Sequence, residues 1–169
     1  MTLSRRFSLF FLALTGSLTI LAPNSLPADL TPITWECLSQ ATEVLAVPLP
    51  LALTVLATEG GTVGQISRHR RGDYDIGPMQ INSHWLPILK RMGLLEKDLR
   101  DHGCANVAVG VWILRLNLLE TGDPLKALAR YHSPNPKRGA SYVQAALRKA
   151  QNFNLEKTLT LANAGIKRK

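Results

Sequence analysis

Cysteine is nearly absent from this chain, which has only Cys37 and Cys104. Neither has a second cysteine or a histidine at ligand spacing, and His69, His84, His102 and His132 show no such spacing either. A metal site is therefore not expected, and no cofactor is called for. Acids are scarce as well: 12 Asp and Glu stand against 20 Lys and Arg, a formal charge of +8. That excess suits an anionic partner. Basic residues do not interleave with aromatics, which argues against nucleic acid as that partner. Repeats, low-complexity tracts and interdomain linkers are missing too, so the length allows one domain around one core.

What is present begins with an export-like segment. Arg5 and Arg6 precede an uncharged stretch, and residues 1–28 read as a signal peptide cut between positions 22 and 28. The expected location is periplasmic. Left uncut, the segment is just long enough to anchor the chain in a membrane, the one route to a membrane partner. Without the two signal arginines the charge falls to +6, from 18 Lys and Arg against 12 Asp and Glu. In an oxidising compartment an isolated cysteine pair most simply forms one disulfide, Cys37 with Cys104; two buried free thiols are the alternative.

Hydrophobic spacing is helical nearly throughout, and alternating runs are few. A first helix is expected after Pro32 and a second from Pro50 to Glu59, stopped by Gly60 and Gly61. Residues 62–76 are glycine-rich and basic, a loop or short ribbon. Ser83 is expected to cap a helix that Gly93 ends, and residues 96–102 add one more turn. The uncharged run 103–114 marks a central buried helix. Asp123 caps the next, and residues 139–152 form the last amphipathic one, with residues 154–169 as a basic tail. Trp85 and Trp112 read as core.

Glu59 is the first charge after the uncharged, mostly apolar run 44–58. Burial disfavours the ionised carboxylate, and a helix C-terminus pushes in the same direction. Such a group can hold a proton near neutral pH and deliver it to a leaving-group oxygen. Hydrolysis of a glycosidic bond usually needs a second carboxylate, and Asp73 and Asp75 are the only acids in the following loop.

Three strings occur in order: Ala57-Thr58-Glu59-Gly60, then Asp75-Ile76-Gly77-Pro78-Met79-Gln80-Ile81-Asn82, then Ala129-Arg130-Tyr131-His132-Ser133. With them, the chain from Trp35 to Phe153 resembles the soluble lytic transglycosylase family, the goose-type branch of the lysozyme-like fold. It looks most like the small single-domain members that accompany conjugation, type IV and type III secretion and pilus machines. The resemblance implies a mainly α, lysozyme-like domain over residues 33–153, with a short loop or small β-ribbon beside the active-site cleft. It departs from the family at Gly60, where serine is usual, and at His132, where asparagine is usual.

The resemblance implies that peptidoglycan glycan strands are the substrate and that one glutamate, Glu59, performs both catalytic steps. Tyr131 resembles the family tyrosine whose hydroxyl approaches that glutamate, with an aromatic core residue at a helix end as the alternative. Met79, Gln80, Asn82, His132 and Gly60 are the expected substrate contacts, with core filling as the alternative for Met79. Asp75 and Gly77 are expected to be structural, Asp75 accepting backbone N–H bonds that shape the Gly77-Pro78 turn. Arg68, Arg70 and Arg71 read as a solvated basic loop, placed where stem-peptide carboxylates can also be met. The small relatives have a comparable cysteine pair, in keeping with the disulfide, and components of a secretion or conjugation apparatus are the expected partners. Two other readings of the same fold are a non-catalytic wall-binding assembly subunit and a hydrolytic muramidase.

Overall fold

The computed structural model describes residues 30–166. The expected signal segment, residues 1–28, lies outside them.

Among the described residues there are eight α-helices and one small sheet. The helices are α1 (Trp35–Val44), α2 (Leu49–Glu59), α3 (Leu86–Arg91), α4 (Glu96–Asp101), α5 (Gly103–Thr121), α6 (Pro124–His132), α7 (Pro136–Gln151) and α8 (Leu155–Ala162). The strands β1 (Ile66–Arg68), β2 (Tyr74–Ile76) and β3 (Ile81–Asn82) pair antiparallel in that order, and a single 3-10 turn, Ser83–Trp85, follows β3. This is the helical lysozyme-like fold with a small ribbon that the family resemblance implied.

The central helix is α5, apolar on nearly all sides. Val107, Val111 and Leu114 have no solvent exposure, and α1, α4 and α6 pack around them. Burying a large aliphatic side chain contributes roughly 1.5–3 kcal/mol, so this helix dominates the core. Local chemistry sets the helix starts. Thr34 accepts from the Cys37 N–H, Asp123 from the N–H groups of Leu125 and Lys126, and Asn135 from those of Lys137 and Arg138. Helix α7 therefore starts at Pro136, before the expected Gly139. At the 3-10 turn Asn82, not Ser83, is the cap, accepting from the His84 N–H.

Cys37 of α1 is disulfide-bonded to Cys104 of α5, with 5.6 Å between their Cα atoms. The chain does not end its fold at Phe153. Residues 155–162, expected within a basic tail, form α8, which packs on α2, and Ala162 is buried. Asn163 fastens this end: its side chain accepts from the Ile33 N–H at 2.8 Å and donates to the Ile33 carbonyl at 2.9 Å. Residues 167–169 lie outside the description.

The sheet register positions the site. Ile76 pairs with Ile66 and Ile81, while Asp75 pairs with Ser67 and Asn82. Alternation along a strand then sends Ile76 and Ile81 into the core and Asp75 and Asn82 to the opposite face.

Candidate active site

That opposite face borders a cleft of about 900 Å³. Glu59 enters it from the end of α2, Asp75 and Asn82 from the sheet, Asn117 and Glu120 from α5, and Tyr131 and His132 from α6. The exposed Arg70, Arg71, Arg130 and Arg138 also line it, as do the exposed Asp73 and Glu120.

Glu59 is half-buried, and its pKa is raised to about 7. Desolvation is the main cause; the charge of Asp75 adds to it, and a hydrogen bond from Tyr142 opposes it. The Tyr142 hydroxyl donates to Glu59 Oε1 at 2.6 Å. Tyr142 lies on α7, is 8% exposed, and its ring is stacked on that of His132 with centroids 4.6 Å apart and planes 4° from parallel. Burial, then the neighbouring Glu59 charge, raises the phenol's pKa, which keeps it a hydrogen-bond donor. The His132 ring is pushed the other way, toward the neutral form, chiefly by desolvation.

Tyr131, expected to approach Glu59, makes no hydrogen bond to it, although the Glu59 charge adds to the burial that raises the Tyr131 phenol's pKa. Its hydroxyl donates to the Met79 carbonyl at 2.9 Å. Tyr131 thus ties α6 to the loop after β2, and the phenol bonded to the glutamate is Tyr142. Of the two readings of Met79 core filling holds: it has no exposure, and its side chain packs against Gly110. Gly60 is exposed, caps α2 with a φ of 63°, and is not part of the cleft wall. A serine there would have to adopt a left-handed conformation.

Asp75 does not accept the expected backbone bonds. Its Oδ1 accepts from Asn82 Nδ2 at 2.8 Å and its Oδ2 is 2.7 Å from His69 Nε2. Asn82 also reaches Asp73 at 3.1 Å. The tight turn at Gly77 is shaped instead by Asn106 of α5. Its amide donates to the Ile76 and Leu99 carbonyls, both at 2.9 Å, and accepts from the Met79 N–H at 2.8 Å. Gly77 has a φ of 66°, and an added Cβ would lie 2.3 Å from the Asn106 amide nitrogen. Gln80, at a φ of 46°, is held in this unusual conformation by donating to the Gly77 carbonyl at 2.7 Å.

Trp85, expected in the core, is half-buried and lines the cleft, with its ring edge-on to Trp112 at 5.5 Å. Arg68 does not line the cleft; its guanidinium lies over the Tyr74 ring at 5.8 Å.

Sequence reasoning missed Tyr142, Asn106 and Asn117. A signal existed for two of them. Gly139, Tyr142 and Ala146 are spaced for one buried helix face, and Asn106 is an amide inside an uncharged run. Neither spacing says which atom the side chain reaches.

Residues 36–159 match the transglycosylase SLT domain family. Invasion protein IagB of Salmonella typhi is 30% identical over 127 residues, covering 74% of this chain and 79% of that protein. Invasion protein IagB of Salmonella typhimurium is 33% identical over 105 residues, covering 61% and 66%. A peptidoglycan-binding-like protein of Escherichia coli is 32% identical over 77 residues, covering 42% and 46%.

Proposed function

The chain belongs to the transglycosylase SLT domain family, and from that membership we propose that it is an exported lytic transglycosylase acting on peptidoglycan. The bond cleaved is the β-1,4 link between N-acetylmuramic acid and N-acetylglucosamine. Glu59, protonated, gives its proton to the bridging oxygen as the bond to the anomeric carbon breaks, and the glucosamine leaves with a free hydroxyl. The resulting carboxylate takes the proton of the muramic acid's own 6-hydroxyl, whose oxygen closes on the anomeric carbon. The product is a 1,6-anhydro end, Glu59 is again protonated, and no water is consumed. A nucleophile tethered to the reacting ring brings the advantage of an intramolecular reaction.

The observation that carries this reading is the placement of Glu59, half-buried in the cleft with Tyr142 donating to its Oε1. A carboxyl with a pKa of about 7, held by Tyr142, is matched to giving and retaking a proton near neutral pH. Asp75, the other cleft acid beside it, has both oxygens engaged by Asn82 and His69. This favours the intramolecular attack over activation of a water.

The disulfide suits an oxidising compartment and, with the export-like N-terminus, supports a periplasmic location. Its task there is local opening of the wall for a secretion or conjugation apparatus, in line with the invasion proteins it resembles.

The test is digestion of purified sacculi. Wild type should release 1,6-anhydro muropeptides by mass, and Glu59→Gln should lose about a hundredfold or more in rate while still binding sacculi. Near wild-type lysis by the folded variant would refute the assignment.

A further inference from the structure

Among the described residues four polar side chains are buried: Thr42, Asp101, Asn106 and Asn117. Three have their partners inside the protein. Thr42 donates to the Ser39 carbonyl at 2.8 Å, Asp101 takes Arg100 at 2.7 Å, and Asn106 makes the three bonds that shape the Gly77 turn. Asn117 is the exception. It is 9% exposed, and the bond recorded at this residue, from the Thr121 hydroxyl, goes to its backbone carbonyl. Its side-chain amide has no protein partner among the described residues. No fully buried side-chain nitrogen or oxygen there lacks a partner, so this amide opens to the cleft that it lines.

A polar side chain on a residue this buried, with no protein partner and its remaining exposure toward the cleft, is rare without a reason. The surroundings narrow the reason. Ile113, Leu116, Asn117 and Glu120 of α5 line the cleft at spacings of three and four residues, one helix face. Trp85 lines the same cleft and is held edge-on by Trp112. One amide, with donors and an acceptor together, thus lines the cleft on a helix face that also carries the apolar Ile113 and Leu116 and the acidic Glu120. Its complement is a group that carries a carbonyl, an N–H and a small apolar end.

Resting on the reading of the cleft as a glycan site, we propose that Asn117 is a specificity residue that recognises the acetamido substituent of a bound sugar. The Asn117 amide pairs with the substituent's amide, and its methyl meets the apolar side chains of Ile113, Leu116 or Trp85. A sugar with a hydroxyl at the same ring position leaves the Asn117 pairing incomplete. Sites built to hydrogen-bond a group discriminate against analogues that lack it.

The test uses the full-length Glu59→Gln protein, which binds without turnover, with chitotriose and cellotriose. These neutral trisaccharides differ only in the acetamido or hydroxyl substituent. Chitotriose should bind more tightly, and adding Asn117→Ala should weaken it by about tenfold while leaving cellotriose unchanged, the size expected for one lost hydrogen-bonded pair. Unchanged chitotriose affinity, or equal weakening for both sugars, overturns the proposal. Should Asn117→Ala fail to fold, the side-chain NH2 resonances of Asn117 in the Glu59→Gln protein decide. They should shift with chitotriose and not with cellotriose; no shift overturns the proposal. Sacculus lysis by wild type is read separately, so loss of the acetamido preference leaves the lytic assignment standing.

Discussion

The hydroxyl of Tyr142 donates to Glu59 Oε1 at 2.6 Å across 83 positions of sequence, joining the end of α2 to the middle of α7. The bond favours the carboxylate, so it opposes the desolvation that raises the Glu59 pKa. It also fixes one carboxyl oxygen, and no hydrogen bond engages the other among the described residues. Tyr142→Phe should keep the fold and the stack with His132. The Glu59 pKa should then rise further above 7, and the alkaline limb of the pH–rate profile for sacculus lysis should move to higher pH. The rate at its optimum should fall by on the order of tenfold as orientation is lost. An unmoved limb would show that Tyr142 does not act through Glu59.

Glu59 also sets how stability depends on pH. Its folded-state pKa is raised from 4.5 to about 7, so the folded protein holds this proton more tightly than the unfolded chain. The associated stability is fully present below pH ~4.5 and is lost as pH rises through about 7. Glu59→Gln removes that loss. Relative to wild type it should gain about 1–2 kcal/mol between pH 4 and pH 8, below the limit of ~3 kcal/mol because the group is only half-buried. Denaturant melts at the two pH values measure this; parallel behaviour of the two proteins would contradict the raised pKa.

How far the site could be read in the sequence differs residue by residue. Glu59 was legible because an uncharged run ends on it and two glycines stop the helix there. The buried course of α5 was legible from its lack of charge. Contact partners were not. Tyr131 lies in a recognisable string next to His132, yet it turns to the Met79 carbonyl, while Tyr142, on the next helix, reaches the glutamate. Helical spacing identifies a face, and the rotation of α7 against α2 decides which hydroxyl arrives. Asp75 was expected to organise the turn because acids often accept backbone N–H groups. Asn106 does so because it alone offers donors and an acceptor to three backbone groups at once. Helix α8 was hidden because residues 154–169 are short and basic at their end, and its docking depends on Asn163 meeting Ile33, 130 positions away.

The disulfide should matter most to stability. Cys37 and Cys104 close a separation of 67 residues and hold α1 against α5. Replacing both with serine should cost about 2–4 kcal/mol, chiefly through the freed unfolded chain. For a domain of this size that corresponds to a fall in Tm of roughly 10 °C. The cleft is built from other contacts, so lysis of sacculi at low temperature should persist. A double variant as stable as wild type, with the bond verified in wild type by non-reducing mass mapping, would contradict this.

Asp75 separates the transglycosylase reading from hydrolysis. Its charge raises the Glu59 pKa, and both its oxygens are engaged by His69 and Asn82. Asp75→Asn keeps an oxygen acceptor but removes the charge. Under the proposed mechanism the Glu59 pKa should fall, so the alkaline limb of the activity profile should move to lower pH and the rate at neutral pH should drop. Part of that rate should return on acidification, and the released ends should still be 1,6-anhydro. If Asp75 instead activated a water, wild type would yield reducing ends, each heavier by one water, and Asp75→Asn would be inactive at every pH. Mass analysis of the products across the pH range decides, because a change in Glu59 protonation alters the rate and cannot add water to the product.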